Sequence, residues 1–140
     1  MRSFFDTNIL IYLFDESSPE KKAICQKLFK SEAITGRAIL STQVLQEFYV
    51  TVTRKMAVAL PEDSAEKAVR DLAKLPLINV DCPMIHAAIG RSRMLGFSFW
   101  DALIISAAIS GGASILYSED LQHEQAIDGL KIINPFLAHT

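Results

Sequence analysis

Short apolar runs alternate with longer amphipathic stretches along nearly the whole chain, and no other feature restricts the fold as much. Phe4-Phe5, Ala38-Ile39-Leu40, Leu77 to Val80 and Ile115-Leu116-Tyr117 have the length and composition of strands, with Lys131 to Ile133 as an optional fifth. Helical patterns fill the gaps. A short one runs from Asn8 to about Phe14. Ser17-Ser18-Pro19-Glu20 opens another with a hydroxyl cap, an early proline and a first-turn acid, running to about Ala33 before Gly36. Thr42 to about Ala57 repeats Val44, Phe48, Val52 and Met56 at i, i+4. Further helices are expected from Pro61 through Asp63 to Leu75, from Pro83 to Leu95 before Gly96, and from Ser98 to Ser110 before Gly111-Gly112. Strands separated by helices need crossover connections. The expected fold is therefore α/β, a three-layer α/β/α sandwich with a mainly parallel central sheet of four or five strands.

At 140 residues the chain has room for one domain, spanning 1–140, and the 50% hydrophobic content suffices for a sizeable core. That composition excludes a disordered tail protein. The net charge of −2 supplies no bulk basic field, so a nucleic-acid partner would have to be met by a local patch. Two cysteines, Cys25 and Cys82, are too few for a disulfide framework and read as small core residues, with a reducing cytoplasm as the simplest home. The apolar stretches at Met1–Phe5 and Ile9–Phe14 are interrupted by acids before reaching signal or membrane-span length, so a soluble protein is expected.

Sheets of this type bind ligands beyond the carboxyl ends of their strands, which directs the search for chemistry there. Asp6 directly follows the first strand and reads either as a helix cap or as a site acid. Asp101 is the only charged residue between Arg93 and Glu119, in a segment apolar enough to be buried, where an unpaired carboxylate is costly. Ser98-Phe99-Trp100-Asp101 also has capping-box spacing, so cap and site remain open for Asp101. Asp120 follows the fourth strand beside Glu119, and position alone does not say which of the two points inward. Glu47 falls about 60° outside the Val44 edge of its helix, on the shoulder between core and water, in line with Thr51 and Arg54. Carboxylates brought together this way cannot all stay ionised without a cation. An oxygen-only set favours Mg²⁺ or Mn²⁺ over zinc, and an ion so held suits phosphodiester hydrolysis.

Phe5-Asp6-Thr7-Asn8-Ile9-Leu10, Leu45-Gln46-Glu47-Phe48-Tyr49, Trp100-Asp101-Ala102 and Ser118-Glu119-Asp120 together resemble the PIN-domain nucleases, and within them VapC-type toxins of bacterial toxin–antitoxin pairs. The resemblance covers nearly the whole chain in order. It implies a metal-dependent endoribonuclease acting on RNA, with Asp6, Glu47, Asp101 and Asp120 at the acidic positions. Asn8 and Ser118 match supporting polar positions, and the Ser two residues upstream selects Asp120 over Glu119. Gln122 stands where the family often carries a further acid. The resemblance also implies dimerisation through helices and inhibition by a small antitoxin that places a basic side chain in the pocket.

Other residues read more plainly. Asp81, before Cys82-Pro83, reads as a helix start, and Lys21, Lys22, Lys27 and Lys30 as a solvated face. Arg54, Lys55, Arg91 and Arg93 suit helix C-termini, with RNA phosphate contact as the alternative. His86, His123 and His139 show no ligand spacing, and Trp100 reads as a packing residue rather than one that stacks on a base. Two competing functions are a receiver-like phosphoacceptor domain and a catalytically silent PIN-like module that binds RNA or protein. The receiver would need an acidic pair near the first strand, where Asp6 stands without an acidic neighbour.

Overall fold

The computed structural model describes residues 1–137, which leaves His139 outside the described residues. In chain order the elements are β1 (Arg2–Phe5), α1 (Thr7–Tyr12), α2 (Pro19–Ile34), β2 (Ala38–Ser41), α3 (Thr42–Arg54) and α4 (Glu62–Leu72). They continue with β3 (Leu77–Ile78), α5 (Cys82–Leu95), α6 (Phe99–Ser110), β4 (Ala113–Tyr117), β5 (Ala126–Ile127) and β6 (Leu130–Ile133).

The six strands form one sheet in the order β3-β2-β1-β4-β6-β5, parallel except for the β5–β6 pair. The sheet thus has one strand more than the four or five expected. The extra strand is only two residues long, too short for alternation to reveal. Its connection to β6 is Asp128-Gly129, both in the left-handed region at φ 48 and 86, the Asp-Gly signature of a tight hairpin.

Ile39, Phe4, Leu116 and Ile132 lie side by side across four strands, all fully buried. A sheet covered on both faces needs continuous apolar strands rather than alternating ones, which explains the short unbroken apolar runs. Each such side chain contributes about 1.5–3 kcal/mol on leaving water.

From β1 the chain steps outward to β2 and then β3, and only afterwards returns past β1 to β4. Right-handed crossovers therefore put α1 to α4 on one face and α5 and α6 on the other. The reversal lies between β1 and β4, and ligands collect in the crevice at such a switch point. Helix α6 is buried all round from Ala102 to Ala108, so it shows no amphipathic stripe.

The helix starts follow their caps. Ser41, Asp81 and Ser98 accept from the backbone N–H of Val44, Met84 and Asp101 at 3.3, 3.0 and 3.1 Å. Ser18 occupies the cap position of α2 without a side-chain cap bond, so Pro19 and Glu20 carry that start. Cys25 is buried as expected, whereas Cys82, the first residue of α5, is exposed. Among the described residues no single helix is long and apolar enough to cross a membrane.

Candidate active site

An open pocket of about 490 Å³ lies beyond the carboxyl ends of β1 and β4, and Asp6, Glu47, Asp101 and Asp120 all line it. Four chain segments deliver these acids, and each arrives for a local reason.

Asp6 extends the β1 ladder by one residue, its N–H donating to the Tyr117 carbonyl at 2.9 Å. Its side chain then caps α1, accepting from the Thr7 N–H at 2.8 Å. The second carboxylate oxygen accepts from the Ser118 hydroxyl at 2.7 Å and the Asn8 amide at 3.2 Å. Cap and pocket acid are thus one residue. Asp6 is 6% exposed, and burial pushes its pKa up to about 6. The Ser118 and Thr7 hydrogen bonds pull it back down, while the charges of Asp120 and Asp101 push it further up.

Asn8 and Ser118 each touch both Asp6 and Asp120. The Asn8 amide also donates to Asp120 Oδ2 at 3.0 Å, so one nitrogen holds oxygens of both acids. The Ser118 hydroxyl accepts from the Asp120 N–H at 3.2 Å while donating to Asp6. Glu119 turns the other way, its N–H anchored on Asn8 Oδ1 at 3.1 Å. Its carboxylate takes the Tyr12 hydroxyl and the Lys21 ammonium, which sits 5.1 and 5.0 Å from the Tyr12 and Phe136 ring centroids. The two adjacent acids thus separate: Asp120 faces the pocket, and Glu119 is neutralised behind it.

Glu47 is half-buried on α3 and accepts from the Thr7 hydroxyl at 2.7 Å and the Gln43 amide at 3.3 Å. The same Gln43 nitrogen donates to the Trp100 carbonyl at 3.2 Å, tying α3 to the start of α6. Both contacts are acceptors, which fixes the orientation of the amide and leaves Gln43 Oε1 buried without a partner. Thr51 lines the pocket beside Glu47, and Lys55 is the only cation among the lining residues. Asp101 stands at the first turn of α6 with its N–H on Ser98. Trp100 does not pack as expected. It is 61% exposed, meets Phe99 edge-on and lines the pocket.

Among the described residues, none of the four acids forms an ion pair with Lys or Arg. Nor do three His, Cys, Asp or Glu side chains stand ready-made as a metal-ligand group there. The Asp6, Glu47 and Asp120 carboxylates rest instead on the hydroxyl and amide donors of Thr7, Asn8, Gln43 and Ser118. The donor chemistry nonetheless suits a hard divalent cation: every candidate ligand is oxygen, and the charges of Asp120 and Asp101 add to the burial that raises the Asp6 pKa, a cost that a cation would relieve.

The remaining candidates lie elsewhere. Asp81 caps α5. Arg91 reaches Ser106 and Asp128 at 2.9 and 3.3 Å, and His123 accepts from the Asn134 N–H at 2.9 Å. Thr7 and Gln43 escaped the sequence reading. Gln43 lies one helical turn before Glu47, and that i, i+4 spacing was the available signal.

The chain is similar to solved structures of known proteins. A toxin–antitoxin complex from Klebsiella pneumoniae aligns at 19% identity over 95% of this chain and 97% of that one, with a TM-score of 0.71. VapC20 of Mycobacterium tuberculosis, described as a sarcin–ricin loop cleaving toxin, aligns at 18% identity over 84% and 89%, with a TM-score of 0.67. DNA-bound VapBC from Salmonella typhimurium gives 18% identity over 94% and 96%, with a TM-score of 0.66. At such identities the likeness concerns the fold. No curated protein sequence matches the chain. The PIN domain family model matches residues 3–127, a span that includes all four pocket acids in order. A parallel sheet with its acids gathered at the switch point, together with that match, places the chain in the PIN domain family.

Proposed function

We propose that this protein is an endoribonuclease that hydrolyses RNA phosphodiester bonds with Mg²⁺ or Mn²⁺, and that it is the toxin of a toxin–antitoxin pair. The observation that carries the reading is the convergence of Asp6, Glu47, Asp101 and Asp120 on one pocket, none of them ion-paired with Lys or Arg among the described residues. The PIN family match and the VapC-like fold support it.

Asp6, Asp101 and Asp120 would hold the ion. Bound there, it would polarise the phosphoryl group, acidify a water and stabilise charge on the leaving oxygen. Glu47 either completes that shell or orients the attacking water, and Thr7 and Gln43 fix its carboxylate for both tasks. Asn8 and Ser118 hold Asp6 and Asp120 at a set separation, so their mutual repulsion is borne by the fold rather than relieved by side-chain rotation. A negative pocket also suits inhibition by a small antitoxin bearing a basic side chain, and a second copy of this chain completes the set of partners.

Incubation with an RNA pool tests the reading. The wild type with Mg²⁺ should produce strand breaks that chelation abolishes, and Asp101→Asn should remain folded by circular dichroism without cutting. An Asp101→Asn protein that cleaves at the wild-type rate would refute the assignment. RNA binding without breaks would favour a silent module. The receiver alternative conflicts with the topology, because β3 lies outside β2 rather than beyond β1.

A further inference from the structure

We infer that Trp100 is a platform on which an unpaired nucleobase of the substrate stacks, beside the acids that act on its backbone. The inference rests on the RNA-cleaving reading above and adds the substrate feature that the pocket recognises.

Trp100 is the only tryptophan in the chain, and it is 61% exposed at the rim of the acidic pocket. The core does not use it. Among the described residues its one ring contact is edge-on to Phe99, with centroids 5.1 Å apart and planes at 77°, and such a neighbour covers at most one side of the π system. The backbone beneath the ring is fixed from two directions. Ser98 caps the helix at Asp101, and Gln43 holds the Trp100 carbonyl with the same nitrogen that holds Glu47. The root of the side chain is therefore placed relative to two pocket acids before any substrate arrives, and little backbone freedom is lost on binding.

Charge decides what the ring is for. RNA is a polyanion, and this pocket presents four carboxylates against a single lining cation, Lys55. The pocket lining itself supplies few cations for phosphate, which leaves a part for uncharged contacts. Stacking on an aromatic face adds affinity without involving charge, and it accepts any base. Trp100 adjoins Asp101 in sequence, so a phosphodiester at the acids brings a flanking nucleotide to the ring. Bases within a duplex offer no free face, so the preferred substrate is single-stranded or looped.

The lone tryptophan makes the test specific. In EDTA, short single-stranded RNA of random sequence should quench the Trp100 fluorescence, whereas an abasic ribose–phosphate strand of equal length should not. With Mg²⁺, Trp100→Ala should raise KM for RNA cleavage roughly tenfold or more while changing kcat little, and Trp100→Phe should restore most of the loss. Unchanged KM in a folded Trp100→Ala protein, or equal quenching by the abasic strand, would overturn the inference. Loss of binding to a protein partner alone would overturn it as well, by assigning the ring to a protein contact. If the wild type neither binds nor cuts RNA, the functional reading fails first and takes this inference with it.

Discussion

Asp6 and Glu32 are both 6% exposed and sit at opposite ends of the same sheet, yet they titrate in opposite directions. Glu32 lies at the amino ends of β1 and β2, where it accepts from the Ser3 hydroxyl at 2.6 Å and from Arg37 at 2.8 Å. Burial alone would push Glu32 up, but the Arg37 and Ser3 bonds outweigh it and hold the carboxyl below its usual range. Asp6, at the carboxyl ends, has hydrogen bonds too, but burial outweighs them, its charged neighbours are other acids that add to the push, and it rises to about 6. Burial pushes both carboxyls up; at Glu32 a cation and a hydroxyl overcome it, whereas at Asp6 no cation does and the enclosure is deeper. One end is built for stability. The other keeps its negative charge unneutralised, which is the state expected of a site awaiting a cation.

The largest expected difference between the two ends is in activity. Asp6→Asn should lower RNA cleavage by at least about a hundredfold, by removing charge from the reacting centre. Glu32→Gln should leave the rate of the folded protein unchanged, and gel-based cleavage assays on both variants would show the split. A large rate loss in Glu32→Gln with an intact fold would break the comparison.

Stability should then run the other way. Glu32→Gln should cost about 1–3 kcal/mol, less than a fully buried pair because the Arg37 side chain is 40% exposed, and thermal melts should show a drop of several degrees. Asp6→Asn, measured in EDTA at pH 7, removes a charge that the fold disfavours but turns an NH2 toward the Ser118 or Thr7 donors, so it should cost less than Glu32→Gln. The pH dependence follows from proton counts. With its native pKa near 6 against an ordinary 3.8, Asp6 leaves the native state holding more protons than the unfolded one between those values. Its contribution therefore weakens the fold as pH rises through that window and is constant above it, so Asp6→Asn should compare less favourably with the wild type below about pH 4 than at pH 7. Glu32 behaves oppositely: its stabilisation is present above the ordinary glutamate range and is lost as pH falls.

The smallest effect is expected at Ser118. Its hydroxyl is the strongest influence lowering the Asp6 pKa, so Ser118→Ala should raise that pKa further, readable by carboxyl NMR titration, with about 1 kcal/mol of lost stability.

Much of this was legible in the chain itself. The apolar runs mark β1, β2, β4 and β6 because strands buried on both faces carry little alternation. Asp6 was visible as a strand-end acid, and Glu47 as a residue on the shoulder of α3, where it is half-buried. Strand order was not legible. Nothing local says that β4 returns beside β1, and the acids meet only because it does. The β5–β6 hairpin was signalled by Asp128-Gly129 but concealed by the shortness of β5. Asp120 and Glu119 could not be told apart from position, because the Tyr12 and Lys21 contacts that turn Glu119 away come from distant residues. Trp100 was misread for a related reason: an apolar residue at a helix start looks like core until the neighbouring face proves open.

The central claim is that the carboxyl-end acids form one site for a divalent cation. Thermal melts of the wild type and Asp6→Asn across an Mn²⁺ titration at pH 7 test it most directly. The account predicts a concentration-dependent rise in Tm for the wild type that is lost or sharply weakened in Asp6→Asn. Equal shifts in the two proteins, or no shift in the wild type, would contradict it.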